Sequence, residues 1–177
     1  MTTTREVEKV SRALDQVAEL LEGLLPAQLT QGTPCDDWTV RELVDHLVAT
    51  PTRFASMLRG EQIDWSAPSP PAGDNPAGAF REHANDLVTA WQEHDRAATT
   101  SGVDWQCAEL AVHTWDLASA LGVPTSGLDP EVAERGLAFM RASLTDDRRA
   151  PAFGPERQAP ADADVYQRIA AFAGRRV

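Results

Sequence analysis

The sequence predicts an all-α protein, an antiparallel four-helix bundle with additional short helices towards its C-terminus. Apolar residues recur every three or four positions over several long segments, which is the period of an amphipathic helix. Capping residues precede several of these segments, and the polar–apolar alternation of β-strands is almost absent. No repeat or linker divides the 177 residues, so we expect one helical domain over residues 1–177.

The second predicted helix begins with a clear capping signal. Thr39 and Glu42 have the spacing of a capping box, in which each residue bonds the backbone of the other. The helix continues through Leu58 with apolar residues at helical spacing. Pro51 lies inside it, and because proline removes a backbone hydrogen bond, we expect a kink or a break close to His46.

Glycine and proline separate the other predicted helices. Residues 64–74 contain three prolines and one glycine without helical periodicity, which predicts a loop. Capping residues, proline or glycine also bound most of the remaining periodic segments. These further helices are predicted at residues 4–24, 75–91, 104–121, 129–144 and 162–174.

The acidic composition limits the classes of partner. The formal net charge is −11 and the pI is ≈ 4.7, so phosphate backbones and anionic membrane surfaces are repelled, and we expect neither nucleic acid nor membrane as a partner. No apolar run is long enough to span a bilayer and the N-terminus does not resemble a signal peptide, which predicts a cytoplasmic protein. Arginine supplies all but one of the 16 basic residues, a bias typical of GC-rich genomes.

Three residues have the chemistry of a metal site. Glu109 and His113 lie four positions apart in the predicted fourth helix, so their side chains share one face. His46, in the second helix, would complete the set from a facing helix. Two histidines and one glutamate form a recurring catalytic zinc arrangement that leaves one coordination position open. We predict a divalent metal bound by His46, Glu109 and His113, with Zn²⁺ expected and Ni²⁺ as an alternative.

The same residues could also serve a structural role without a metal. Glu109 and His113 share their face with Trp105 and Val112, where a core is expected, and a carboxylate there is costly unless it is paired or metal-bound. A buried Glu–His ion pair would satisfy that requirement. His46, with Leu43 and Leu47 nearby, could be a core histidine. The residue pattern alone leaves both interpretations open.

Two longer motifs resemble a known family. Residues 33–47, TPCDDWTVRELVDHL, resemble the first signature of the DinB/YfiT-like metal-binding bundles, and most closely the mycothiol-dependent maleylpyruvate isomerase N-terminal-domain group. Residues 109–118, with the pattern E-x3-H-x-W-D-L-A, resemble the second signature, and residues 153–175 are similar to the tail of that group. The resemblance covers nearly the whole chain. It implies a DinB-like bundle with the same three metal ligands.

The resemblance also implies an activity. Members of the group that this chain resembles have zinc-type sites, and a low-molecular-weight thiol binds at the open coordination position. In actinobacteria that thiol is mycothiol. A metal-bound thiol is deprotonated and nucleophilic at neutral pH. We therefore expect a metal-dependent thiol transferase acting on an electrophilic small molecule. The alternatives are a hydrolase or lyase that uses metal-bound water, and a non-catalytic metal-binding bundle. We expect a monomer or a homodimer.

Maleylpyruvate isomerisation itself is not expected. The maleylpyruvate isomerases of the group have a further C-terminal domain that contributes to their active site, and no such domain precedes the end of this sequence at Val177. Because the net charge is −11, any anionic part of a ligand needs a local cation, for which Arg53 and Arg141 are candidates.

Other residues are candidates for the surroundings of the metal. Asp116 could hydrogen-bond a ligand imidazole, or could lie on the surface. Trp105, one turn before Glu109, could form the floor of a pocket or serve only as a core anchor. His83 and His94 share a face of the third helix with Leu87; they could line the pocket or be partly exposed.

Overall fold

The computed structural model describes residues 2–35, 37–93 and 99–177, and in these ranges it contains six α-helices and no β-strand. The prediction of an all-α protein is confirmed. Short 3-10 turns occupy several of the connections. The helices are α1 (Thr2–Glu22), α2 (Val40–Leu58), α3 (Pro76–Glu93), α4 (Thr99–Leu121), α5 (Pro130–Ser143) and α6 (Val165–Phe172).

The capping box at the start of α2 is confirmed; of the kink or break that we expected close to His46, the break is wrong. The Thr39 hydroxyl accepts from the Glu42 amide, and the Glu42 carboxylate accepts from the Thr39 amide at 2.8 Å. The helix then continues through Pro51 to Leu58. Its apolar residues are buried on both sides of the proline, so tertiary packing outweighs the local cost of the missing hydrogen bond. The Thr50 hydroxyl donates to the His46 carbonyl at 2.8 Å.

Helix α4 begins earlier than predicted, at Thr99 rather than near Asp104. The added turn is rich in threonine, serine and glycine, which are weak helix formers, so no helix was predicted there. Within the turn, Gly102 approaches the ring of Trp91 on α3, where an added Cβ would lie 3.1 Å from a ring carbon. Packing on α3 therefore accounts for the extension.

The first four helices form a ring in which α1 and α2 each pack against both α3 and α4. Helix α5 covers α4, and α6 packs on both. Helix α4 is consequently enclosed on several sides, as expected for a helix that is apolar around most of its circumference. The largest fully buried side chains lie between these layers and are Trp91, Tyr166, Phe54 and Phe80. Across the described residues, every helix is too short or too polar to traverse a lipid bilayer.

Two glycines permit close backbone approaches around α4. A Cβ on Gly136 of α5 would lie 2.7 Å from the Cα of Ala108 on α4, so the two helices touch there. Gly174, with φ +92°, follows α6, and a Cβ there would lie 2.8 Å from the Cα of Gly154. The C-terminal segment can therefore turn back and reach α4 through Arg175.

Candidate metal centre

The structure brings His46 of α2 together with Glu109 and His113 of α4. One nitrogen or oxygen atom from each residue lies within 4.8 Å of the others. The Nε2 atom of His46 is 2.7 Å from Glu109 Oε1, and the Nε2 atom of His113 is 3.4 Å from the same oxygen. A tetrahedral zinc ion needs donor atoms roughly 3.4 Å apart, since its bonds are about 2.1 Å long. The three residues could hold such an ion after small side-chain movements.

Charged neighbours shift the pKa values of the residues in this cluster. Burial alone would lower the pKa of His113, but the carboxylates of Glu109 and Asp116 raise it to about 9. Burial alone would raise the pKa of Glu109, but the imidazoles of His113 and His46 hold it well below its usual value. Without a metal the cluster is an ion pair, as the alternative interpretation requires. The carboxylates that raise the pKa of His113 would also attract a divalent ion, which would have to displace the proton from the imidazole.

Asp116 fixes the orientation of the His113 ring. Its carboxylate is fully buried and lies 3.0 Å from His113 Nδ1, so it is not the surface residue that one interpretation allowed. Arg175 donates to both oxygens of Asp116, at 3.0 and 3.1 Å. With Nδ1 engaged by a carboxylate, Nε2 is the nitrogen that faces Glu109 and His46, as in many metal sites. Arg175 had no assigned role in the sequence analysis; the only signal was the family-like tail that contains it.

Trp38 covers the two imidazoles from the segment before α2. Its ring is stacked on that of His113 with 5.7 Å between centroids, and it lies 4.8 Å from that of His46. The centroids of the two imidazoles are themselves 4.8 Å apart. These contacts restrict rotation of both histidines. The sequence identified Trp38 as part of a motif, but not as a residue of the centre.

A cleft of ≈ 640 Å³ opens over the three residues, within the size range of small-molecule sites. It is bounded by the segment before α2, by the loop after α2 and by residues 151–153. Acidic, basic and aromatic side chains line it. They include Asp37, Glu42, Asp45, Arg53, Arg175, Trp65 and Trp105.

One wall of the cleft is aromatic. The Trp65 ring lies 5.0 Å from Phe54 and 5.2 Å from Trp105, and Trp105 is also 5.2 Å from Phe54. Trp105 therefore lines the site one turn before Glu109, and is a core neighbour as well. Trp65, which the sequence analysis did not single out, is more than a third exposed at 36%.

Of the other residues predicted near the site, some line the cleft and others lie elsewhere. Arg53 lines the cleft, but its Nη2 donates to the Ala67 carbonyl at 2.8 Å and so holds the adjoining loop. Arg141 instead borders a separate hollow beside Glu134. His83 is not among the residues that line the cleft; its Nδ1 lies 2.7 Å from the Val48 carbonyl oxygen. His94 lies outside the described residues.

Comparisons with known proteins agree with the motifs. The sequence model of the family described as mycothiol maleylpyruvate isomerase N-terminal domain matches residues 10–118, a range that contains all three residues of the centre. Two uncharacterized proteins, from Mycobacterium tuberculosis strains CDC 1551 / Oshkosh and ATCC 25618 / H37Rv, are each 31% identical over 188 residues, with 94% of this chain and 95% of each relative covered. No solved structure matches the chain. The chain belongs to the mycothiol maleylpyruvate isomerase N-terminal domain family.

Proposed function

We propose that this protein is a metal-dependent thiol S-transferase that joins a mycothiol-type thiol to an electrophilic small molecule. His46, Glu109 and His113 would bind one divalent ion, with zinc as the expected metal. The observation that carries the proposal is the convergence of two Nε2 atoms and one carboxylate beneath a cleft of ≈ 640 Å³. A non-catalytic bundle would need no such cleft.

The metal would supply one chemical function, which is to stabilise a thiolate at neutral pH. The residues of the chain would do the rest. Asp116 and Arg175 hold His113 with Nε2 towards the centre. Trp38 limits rotation of the imidazoles and covers them on one side. In the transfer, the thiol sulfur forms a bond to the electrophilic carbon, the leaving group departs with its bonding electrons, and the thiol proton passes to solvent.

The lining of the cleft supports a hydroxyl-rich thiol rather than a polyanionic one. Asp37, Glu42 and Asp45 bring carboxylates to the lining, and they would repel a thiol that carries carboxylates of its own. Glu42 already accepts from Thr39, and Asp45 from the Ala72 amide, but each carboxylate has a second oxygen that can accept from a hydroxyl group. The guanidinium of Arg53 is already engaged by a loop carbonyl. The exposed ring of Trp65 offers a flat apolar surface to the C–H face of a sugar ring. These features suit mycothiol better than glutathione.

The test uses protein loaded with Co²⁺ as a spectroscopic substitute for Zn²⁺. We expect mycothiol to produce a sulfur-to-cobalt charge-transfer band, and glutathione to produce a weaker one at equal concentration. With the zinc-loaded protein and monobromobimane as a model electrophile, we expect S-conjugate formation that depends on the metal. His113→Ala should abolish both signals, whereas His83→Ala, which changes a histidine outside the cleft, should retain them.

The absence of any thiol binding at the metal would contradict the proposal. If no thiol changes the cobalt spectrum at millimolar concentration, the transferase proposal fails. Hydrolysis of an ester panel by the same zinc-loaded protein would then favour the alternative with metal-bound water.

A further inference from the structure

We infer that a second, apolar cavity beside the metal centre binds the hydrophobic part of the electrophilic substrate. The existence of the binding site stands on its own geometry. Its assignment to the electrophile rests on the proposed thiol transfer. The substrate class that follows is a neutral electrophile with one small aromatic or branched aliphatic group.

The cavity lies between α4 and α5 and has a volume of ≈ 120 Å³. For comparison, an apolar engineered cavity of about 150 Å³ stays dry and binds benzene. The cavity is therefore close to the size of a single small ring. Most of its wall is apolar and consists of Ala108, Val112, Phe139, Met140, Leu144 and Phe153.

The position of the cavity distinguishes it from a packing defect. Glu109 and His113, two of the three proposed metal ligands, form part of its wall. The same two residues line the large cleft, and so do Trp105 and Phe153. A group held in the cavity would thus lie against the residues of the centre, as would a ligand in the cleft. The two spaces share a boundary made of two charged and two aromatic side chains.

The chemistry of the two spaces differs in a way that suits two different molecules. The cleft contains three further carboxylates and two arginines, whereas Glu109 and His113 are the only ionisable residues that line the cavity among those described. A hydroxyl-rich thiol would lose hydrogen bonds to water in the cavity, and an apolar ring would gain by leaving water. The cleft is therefore the place for the thiol, and the cavity for the apolar group of its partner.

The walls are held in place by direct helix contact. Gly136 of α5 touches Ala108 of α4, and a Cβ at Gly136 would be only 2.7 Å from the Ala108 Cα. Ala108 is itself part of the cavity wall. A site formed in this way is largely organised before a ligand arrives, which reduces the entropic cost of binding.

The experiment measures binding of benzene to the metal-loaded protein by NMR, with no thiol present. We expect chemical-shift changes at the methyl groups of Val112, Met140 and Leu144. Ser143→Phe places a ring in the cavity and should weaken benzene binding by about tenfold or more. Ala142→Phe adds the same ring at an exposed position of the same helix segment and should leave binding unchanged.

Phe139→Ala provides a second variant that enlarges the cavity. It should admit naphthalene, which the natural protein should exclude. Failure of benzene to bind the natural protein, or equal binding by Ser143→Phe, would overturn the inference. If thiols change the cobalt spectrum while benzene does not bind, the cavity proposal alone fails. If benzene binds while no thiol changes the spectrum, the cavity stands and the transferase proposal fails.

Discussion

The two histidines of the centre are held in different ways. On α4, the Nδ1 atom of His113 is 3.0 Å from the buried Asp116, which Arg175 engages with two hydrogen bonds. On α2, His46 contacts Glu109 and Trp38, but no described side chain hydrogen-bonds to its Nδ1 atom. The α4 half of the centre is thus fixed by a charged network, and the α2 half mainly by packing. The difference predicts which half contributes more to metal affinity.

The largest effect is expected from removing the ligands themselves. His113→Ala should abolish metal binding, because it removes one of the three donor atoms; it also leaves the buried Asp116 without its imidazole partner. His46→Ala and Glu109→Ala should weaken binding severely. Metal content after dialysis against a chelator measures these losses, and His83→Ala serves as the control. A protein with all three ligands changed to alanine that still carries a full equivalent of metal would refute the site.

The next effect concerns the charged network. Asp116→Asn should reduce metal affinity by about 10–100-fold, the range typical of partners that orient a ligand histidine. It should also cost about 3–5 kcal/mol in the free energy of unfolding, because Arg175 is 7% exposed and would lose its buried counter-charge. Chelator competition and urea unfolding measure the two quantities.

A double variant tests whether the two charges act as a unit. Arg175→Met combined with Asp116→Asn should be less destabilising than the sum of the single changes, since neither charge is then left unpaired. Additive losses would show that the residues contribute independently. In that case the hydrogen bonds from Arg175 to Asp116 would not be what holds the C-terminal segment on α4.

Trp38→Leu tests the half that depends on packing. The indole contacts the rings of His46 and His113 without a hydrogen bond to either one among the contacts described. Its loss should loosen His46 and lower metal affinity by about tenfold or less, below the effect of Asp116→Asn. Affinity is measured by chelator competition, with Trp65→Leu as the matched control, because Trp65 lines the same cleft and packs against Phe54 and Trp105. A larger loss for Trp38→Leu than for Asp116→Asn would reverse the order of the two halves.

The sequence predicted most of the fold and the three proposed metal ligands, but not the contacts that hold the two histidines. The spacing of Glu109 and His113 is local, so helical geometry alone places them together. The approach of His46 depends on how α2 packs on α4, and the family resemblance supported that pairing when the pattern alone left it open. The contact between Asp116 and Arg175 spans 59 residues, and no local periodicity reports it. The path of the tail depends on the contact at Gly174, which only the structure shows.

A helix break close to His46, one of the two effects expected from Pro51, is wrong for a related reason. The rule for proline considers one hydrogen bond of the helix, whereas α2 also buries Phe54 beyond the proline and Leu47 before it. The cleft and the cavity could not be predicted from the sequence either, because their walls come from segments far apart in the chain.

The smallest effect is expected from an exposed arginine–aspartate pair that, like the buried one, is joined by two hydrogen bonds. Arg59 donates to both oxygens of Asp86 at 2.8 and 2.7 Å, much as Arg175 does to Asp116, but both of these side chains are exposed. Asp86→Asn should therefore cost no more than about 1 kcal/mol in the free energy of unfolding and leave metal affinity unchanged. Urea unfolding beside Asp116→Asn compares an exposed with a buried two-bond pair; Asp116 differs further in its contact with His113. Equal losses from the two changes would show that the network around His113 has no special role.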